Sequence, residues 1–316
     1  LFNSNTIVFP KVGQAIHTNK KRILGIKSAV DNNVMCLSVI DKDVINHKYL
    51  FEYFDNLINL SDIASNANPP SISATNLNEV KIPVPPMEIQ EQIVAECQKI
   101  DDEVFHAQQT IQGAKQSIEQ MINNSSKDST IKLGDLITSP PQYGANEKAI
   151  DGDSLSDIRY IRITDINDSG ALNTEFKTAE NIESKYLLED NDFLFARSGN
   201  TVGKTFLYET KYGKCLYAGY LIRFKLNCEK ILPKYLKSFT TTKAYWDWVK
   251  NSQTGASQPN INGQIYMTLQ IPLPSIKEQK EIVARIEVFA EQITQAQQII
   301  DNAKAQKQTI LNKYLD

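Results

Sequence analysis

Residues 82–122 read "IPVPPMEIQEQIVAECQKIDDEVFHAQQTIQGAKQSIEQMI", and this stretch decides the architecture. Ile93, Ile100, Ala107, Ala114 and Met121 recur every seven residues, with Cys97, Val104, Ile111 and Ile118 four positions after the first four of them. That is an a/d seam held over four heptads, and such a seam needs a partner helix to cover it. Residues 277–315 supply one: Ile282, Phe289, Ala296, Ala303 and Ile310 form one line, Ile286, Ile293, Ile300 and Lys307 the other. Prolines just ahead of each run (Pro83, Pro85; Pro272, Pro274) interrupt any strand ladder and mark the entry. A helix of about 35 residues is about 50 Å long, the length of a spacer.

Working outward, the chain repeats at an offset of 189 residues. Ile82-Pro83-Val84-Pro85 returns as Ile271-Pro272-Leu273-Pro274, and Gln90, Ile93, Val94 and Ala95 return as Gln279, Ile282, Val283 and Ala284. Pro70 and Ile72 match Pro259 and Ile261. With a small change of length, Ile7-Val8-Phe9-Pro10-Lys11-Val12-Gly13 resembles Phe193-Leu194-Phe195-Ala196-Arg197-Ser198-Gly199. The period far exceeds a solenoid unit, so each copy is a domain followed by a helix. The second copy, from about residue 130, is the fuller one; the first starts where the second has already run for some sixty residues, and is expected to lack its opening part. Both helices leave their domains by the same route, so pseudo-twofold symmetry predicts an antiparallel pair with a domain at each end.

Within the second copy, Arg159–Ile166 alternates like a strand, as do Phe193–Ala196, Phe206–Tyr208, Cys215–Tyr217 and Leu221–Leu226. Pro233–Asn251 reads as one helix, and Ser198–Thr205 as a glycine-bearing turn. The fold class is therefore α+β: two domains with mixed β-sheets, separated by two long antiparallel helices forming a coiled coil. Domain limits fall at residues 1–85 and 130–274, with helical segments 86–124 and 275–316 and a linker at Ser125–Asp128.

The composition of the 316 residues, 41% hydrophobic and 22% charged, is that of a folding globular chain. No apolar run reaches the roughly 20 residues needed to cross a bilayer, and no signal-peptide pattern stands at the start, which predicts a cytoplasmic protein without a membrane role. Cys36, Cys97, Cys215 and Cys228 never approach a metal-ligand spacing and read as reduced thiols. The net charge of −3 hides an uneven distribution: Phe193–Lys250 carries eleven Lys or Arg against three acids. Local charge, not the total, decides where a phosphate docks.

The string "YIRITDI … LLEDNDFLFARSGNTVGKTFLY … GASQPNINGQIYMTLQIPLPSIKEQKEIVARI" resembles the target-recognition domain and following helix of type I restriction-modification specificity subunits. The first copy matches the later part of that pattern less closely, with "TIVFPKVGQAI" in place of R-x-G and "NANPPSISATNLNEVKIPVPPMEIQEQIV" in place of the Q-P-N-I string. The resemblance covers nearly the whole chain. It implies a sequence-specific DNA-binding subunit, not an enzyme and without a cofactor of its own, that reads a bipartite target with one domain per half. Its implied partners are double-stranded DNA, two methyltransferase subunits that bind S-adenosylmethionine, and an ATP-dependent restriction and translocation subunit. Two rivals stay open: the recognition segment of a fused restriction-methylation enzyme, and a coiled-coil adaptor with no DNA role.

Beside the resemblance, cations near turns offer phosphate contacts while amide and hydroxyl side chains address base edges. In the first domain the candidates are Lys11, Gln14, His17, Asn19, Lys20, Lys21 and Arg22; in the second, Arg197, Ser198, Asn200, Thr201, Lys204, Tyr220, Gln253, Thr254, Ser257 and Gln258, with Lys211 and Lys214 as further phosphate contacts. Ser198–Thr205 stands one residue from a phosphate-binding P-loop, but the strand pattern after it denies the helix N-terminus that motif needs. Ser139-Pro140-Pro141-Gln142-Tyr143 and Asn68-Pro69-Pro70-Ser71 approach a base-flipping methyltransferase loop, yet neither puts an aromatic directly after its prolines. His17, His47 and His106 have no metal spacing, and Glu189, Asp190 and Asp192 read as a charged turn.

Overall fold

Ile7–Pro10 (β1) alternates buried and half-buried side chains, as one face of a sheet against a core requires. It is flanked on both sides by antiparallel partners, Arg22–Ile23 (β2) and Val34–Leu37 (β3). His47–Leu57 (α1) covers the buried face; its Phe54 meets Phe9 at 5.0 Å between ring centroids. Asn46 caps α1, its side chain accepting from the amides of Lys48 and Tyr49, a use for which the short amide side chain is suited. Short helices Leu60–Ile63 (α2) and Ala74–Asn78 (α3) follow, and then Met87–Asn124 (α4). The computed structural model describes residues 1–125, 130–254 and 259–315. It comprises two units, Leu1–Ile111 with Ile293–Asp316, and Gln112–Gln292.

The second unit adds Thr130–Lys132 (β4), Gln142–Tyr143 (β5), Ala149–Asp151 (β6), Arg159–Ile161 (β7), Lys177–Ala179 (β8), Phe193–Ala196 (β9), Thr205–Leu207 (β10), Cys215–Tyr217 (β11) and Leu221–Phe224 (β12). Helices Pro233–Phe239 (α5), Lys243–Ser252 (α6) and Gly263–Met267 (α7) follow, then Gln270–Pro272 (β13) and Ile276–Leu315 (α8). The main sheet is antiparallel, in the order β10-β9-β12-β5. β9 is buried on both faces, and period two splits it: Phe193 and Phe195 enter a core shared with α5, α6 and α7, whereas Leu194 and Ala196 enter a second core with β11. β7 pairs in parallel with β11, so the domain mixes both kinds of pairing.

Two expectations need correction. The strand expected over Arg159–Ile166 stops at Ile161, because Asp165 accepts from the Arg162 amide and guanidinium and closes a 3-10 turn. The single helix expected over Pro233–Asn251 is two, since the Thr242 hydroxyl accepts from the Tyr245 amide and starts α6 afresh.

The duplication is visible in three dimensions. The order β2-β1-β3 of the first unit matches β10-β9-β12 of the second. Gln90 is fully buried, donates to the carbonyls of Val44 and Pro85 and accepts from the Asn46 amide. Gln279, equally buried, donates to the carbonyls of Lys230 and Pro274 and accepts from the Leu232 amide. The Tyr49 and Tyr235 hydroxyls donate to Pro83 and Pro272, each at 2.7 Å. One buried amide and one tyrosine thus tie the start of each long helix to its own domain.

The seams meet as the heptads predict. In the first unit Ile93 and Cys97 of α4 pack with Leu311 of α8, and in the second Ile118 and Ile122 of α4 share a core with Ile282, Val283 and Ile286 of α8. The opening of each helix therefore faces the close of the other, and the pair is antiparallel. Ala107, Ala114 and Ala296 are buried, as close approach of helices demands. The apolar lines are interrupted at Lys307, 11% exposed, which pairs with Glu52 at 3.0 Å and Asp101 at 2.7 Å.

Candidate nucleic-acid interface

Each unit builds the same strap at the end of its central strand. In the second, the Ile261 amide donates to the Arg197 carbonyl at 2.8 Å and the Gly199 amide to the Pro259 carbonyl at 3.0 Å. In the first, Ile72 donates to Lys11 at 2.8 Å and Gly13 to Pro70 at 2.8 Å. Gly199 and Gly13 have φ of 68° and 77°, and a Cβ at either would meet nothing within 4 Å. Backbone conformation, not crowding, asks for glycine there. A cation, Arg197 or Lys11, stands two residues before each glycine.

Of the two, Arg197 is the one stacked on an aromatic ring. Its guanidinium lies over the Tyr143 ring, 4.9 Å from the centroid, an arrangement that restrains the plane of the fork. The Tyr143 hydroxyl accepts from the Gly263 amide at 3.1 Å, which anchors the platform. Arg197 Nε is buried with no hydrogen-bond partner, and the side chain has no carboxylate partner among the described residues. The Arg197 amide donates to the carbonyl of Tyr220, whose side chain is 55% exposed.

Around this cation the other second-unit candidates divide. Ser198 is buried and forms an antiparallel bridge with Asn260. Thr254 bridges the same Asn260, through both its backbone and its hydroxyl, and Thr201 donates to the Ser198 carbonyl at 3.0 Å. These three build the loop. Asn200, Tyr220 and Gln253 are exposed. Lys204 is turned elsewhere, its ammonium held by Asp168 at 2.8 Å and the Ile166 carbonyl. Ser257 and Gln258 lie outside the described residues. The stretch after Lys204 is strand β10, in keeping with the rejection of a P-loop.

In the first unit, Lys11 is half-exposed, and Gln14 and Lys20 are exposed. His17 is exposed too and shares a hydrogen bond with Ser61 at 3.0 Å. Arg22 donates to the Lys21 carbonyl. Asn19, with φ of 51°, accepts from the Leu60 amide and from Lys21. Lys21 is 1% exposed, donates to the Ile58 carbonyl at 2.7 Å, and has its pKa lowered to about 8 by burial. Asn19 and Lys21 therefore fasten the turn between α1 and α2, and the Lys21 ammonium is turned inward.

The basic stretch of the second unit is less positive than its residue count suggests. Six of its eleven cations (Lys204, Lys211, Arg223, Lys225, Lys234 and Lys243) pair with carboxylates. Among the described residues the other five, Arg197, Lys214, Lys230, Lys237 and Lys250, have none. The residue the sequence reading missed is Tyr143. It sits in the same Ser139–Tyr143 string that resembles a methyltransferase loop, and strand pairing of β5 with β12 puts its ring under Arg197. No cluster of metal-ligating side chains occurs among the described residues, nor any helix long and apolar enough to cross a membrane.

Comparison with known proteins agrees with this layout. The family model described as "Type I restriction modification DNA specificity domain" matches residues 1–116 and 127–305. The specificity subunit of the type I restriction enzyme StySPI of Salmonella potsdam is 24% identical over 275 residues, covering 78% of this chain and 58% of that protein. The EcoKI specificity subunit of Escherichia coli is 23% identical over 288 residues, covering 81% and 60%. The chain thus spans about three fifths of the length of these relatives. Among solved structures, the S subunit of the M. genitalium type I restriction-modification system superimposes with a TM-score of 0.58 at 14% identity, over 100% of this chain and 84% of that one. A chain from a structure on complex assembly and conformational transition of the type I system gives 0.59 at 16% identity, over 99% and 82%. With a family match that takes in most of both units and both long helices, the chain belongs to the type I restriction modification DNA specificity domain family.

Proposed function

We propose that the chain is a sequence-specific DNA-binding specificity subunit, without catalysis of its own, that reads a bipartite target in the cytoplasm. Residues 1–85 and 130–274 act as the two recognition domains, and segments 86–124 and 275–316 as the spacer helices. The observation that carries the reading is the strap built twice, each time with a cation beside the glycine, one per half-site. Arg197 and Lys11 serve as backbone anchors, and Asn200, Tyr220, Gln253, Gln14 and Lys20 stand exposed where base edges would pass. Arg22, His17, Lys204, Ser257 and Gln258 are secondary members of the same surface, and Ser198, Thr201, Thr254, Asn19 and Lys21 shape it. The helices have 38 and 40 residues, about 57–60 Å at 1.5 Å per residue. That exceeds a DNA turn of about 34 Å, so the half-sites flank base pairs that are not read. The same helices scaffold two methyltransferase subunits, which bring S-adenosylmethionine, and an ATP-dependent restriction subunit joins for cleavage.

Gel-shift titration of the assembled methyltransferase complex on targets of altered spacer length tests this. Affinity is expected to peak at one spacing and fall on either side; equal affinity at every spacing contradicts the ruler role.

A further inference from the structure

The closing turns of each long helix meet a junction between two shorter helices. In the second unit Thr240–Thr242 joins α5 to α6, and there the Lys243 amide, the first of α6, donates to the Glu119 carboxylate of α4 at 3.1 Å. In the first unit Ile58 and Asn59 join α1 to α2, and the Gln308 side chain of α8 donates to the Asn56 carbonyl, in the last turn of α1, at 2.7 Å. Glu119 and Gln308 stand one repeat of 189 residues apart. Their chemistry differs because the helix ends differ. The start of a helix offers free amides, which a carboxylate accepts, and its close offers free carbonyls, to which a side-chain amide donates.

Both junctions back the turn that follows a strap glycine. α6 packs directly on the backbone at Gly203: a Cβ there would meet Val249 at 2.7 Å and Trp246 at 3.0 Å, and the Tyr245 hydroxyl donates to the Gly203 carbonyl at 2.6 Å. Thr240 in the junction shares a hydrogen bond with Thr205 at 2.8 Å, and the Gly203 amide donates to Ala196, next to Arg197. In the first unit the Lys21 ammonium donates to the carbonyls of Ile58 at 2.7 Å and Asp55 at 3.4 Å, on either side of Asn56, while Asn19 accepts from the Leu60 amide. Asn200 stands exposed in the one turn, Gln14 and Lys20 in the other.

We propose that Glu119 and Gln308 are positioning residues for DNA reading. Each fixes the helix junction behind one recognition turn, so the close of α4 sets the turn of the second unit and the close of α8 that of the first. The inference rests on the DNA-reading function proposed above.

The test compares the affinity of the assembled methyltransferase complex for its target with that for targets scrambled in one half-site or the other, read as two ratios. A loss of stability alone lowers the active fraction on every DNA and leaves both ratios unchanged. Glu119→Ala is expected to lower one ratio by about three- to tenfold, the worth of one hydrogen bond, and Gln308→Ala to lower the other by as much. Glu119→Gln, which keeps an acceptor for the Lys243 amide, is expected to recover most of the loss. Gln308→Glu, which turns a carboxylate toward a carbonyl, is expected to match Gln308→Ala. Unchanged ratios in either alanine variant, or both variants acting on the same half-site, would overturn the proposal while leaving the function standing. An unaltered complex that does not discriminate among these targets would overturn the function itself, and the proposal with it.

Discussion

Gln90 and Gln279 do the same thing in the two units, whereas Ile118 and Lys307, a repeat apart on the two long helices, do not. Each glutamine is buried and makes three hydrogen bonds that join its helix to the loop ahead of α1 or α5 and to the turn at the helix entry. Ile118 packs against an apolar core; Lys307, at the matching seam position, is held by two carboxylates. Where the copies agree, the contact defines how a domain is attached to its helix. Where they differ, the seam loses its symmetry, and a polar residue at a seam position is a known means of fixing register and orientation.

The largest effect is expected at the shared contact. Gln279→Leu leaves the Pro274 carbonyl buried without a partner and removes the side-chain partner of the part-buried Lys230 carbonyl and Leu232 amide, and a loss of about 3 kcal/mol in total is expected. Gln90→Leu is expected to cost the same within about 1 kcal/mol, read by denaturant unfolding. A loss in one unit and not the other would break the equivalence. Lys307→Ile makes the seam symmetrical but strands Glu52, 8% exposed, without its counter-ion. A loss of about 2–3 kcal/mol is expected, largely restored when Glu52→Leu is added; additive losses in the double variant would show that the pair is not coupled.

A smaller effect distinguishes the two units by pH. The Lys21 pKa of about 8 lies below its ordinary 10.5 because burial opposes the charge. Between those values the unfolded chain holds a proton that the folded one has released, so raising the pH favours folding. The stability of the unaltered chain is expected to gain about 3 kcal/mol on Lys21→Met over that window, having shown no such trend below pH 8. A constant gap across the window would place the Lys21 ammonium in solvent.

Much of this organisation was legible from residue spacing. Heptads over 88–122 and 277–315 became helices Met87–Asn124 and Ile276–Leu315, and the matched strings at Ile7–Gly13 and Phe193–Gly199 became equivalent strands and straps. Periodicity carries such information because a seam or a sheet face is a local pattern. What failed was non-local. The inward turn of Lys21, the Lys204–Asp168 pair and the Arg197–Tyr143 stack join residues that spacing alone does not relate. The Thr242 cap was local and could have been found in Thr240-Thr241-Thr242, since threonine hydroxyls favour helix starts over helix interiors.

The central claim, that the two units are copies of one device each offering a cation to DNA, is tested most directly by the salt dependence of target binding by the assembled complex. Arg197→Ala and Lys11→Ala are each expected to weaken binding and to reduce the slope of log affinity against log salt by about 1, and the double variant by about 2. An unchanged affinity and slope in both single variants would contradict it.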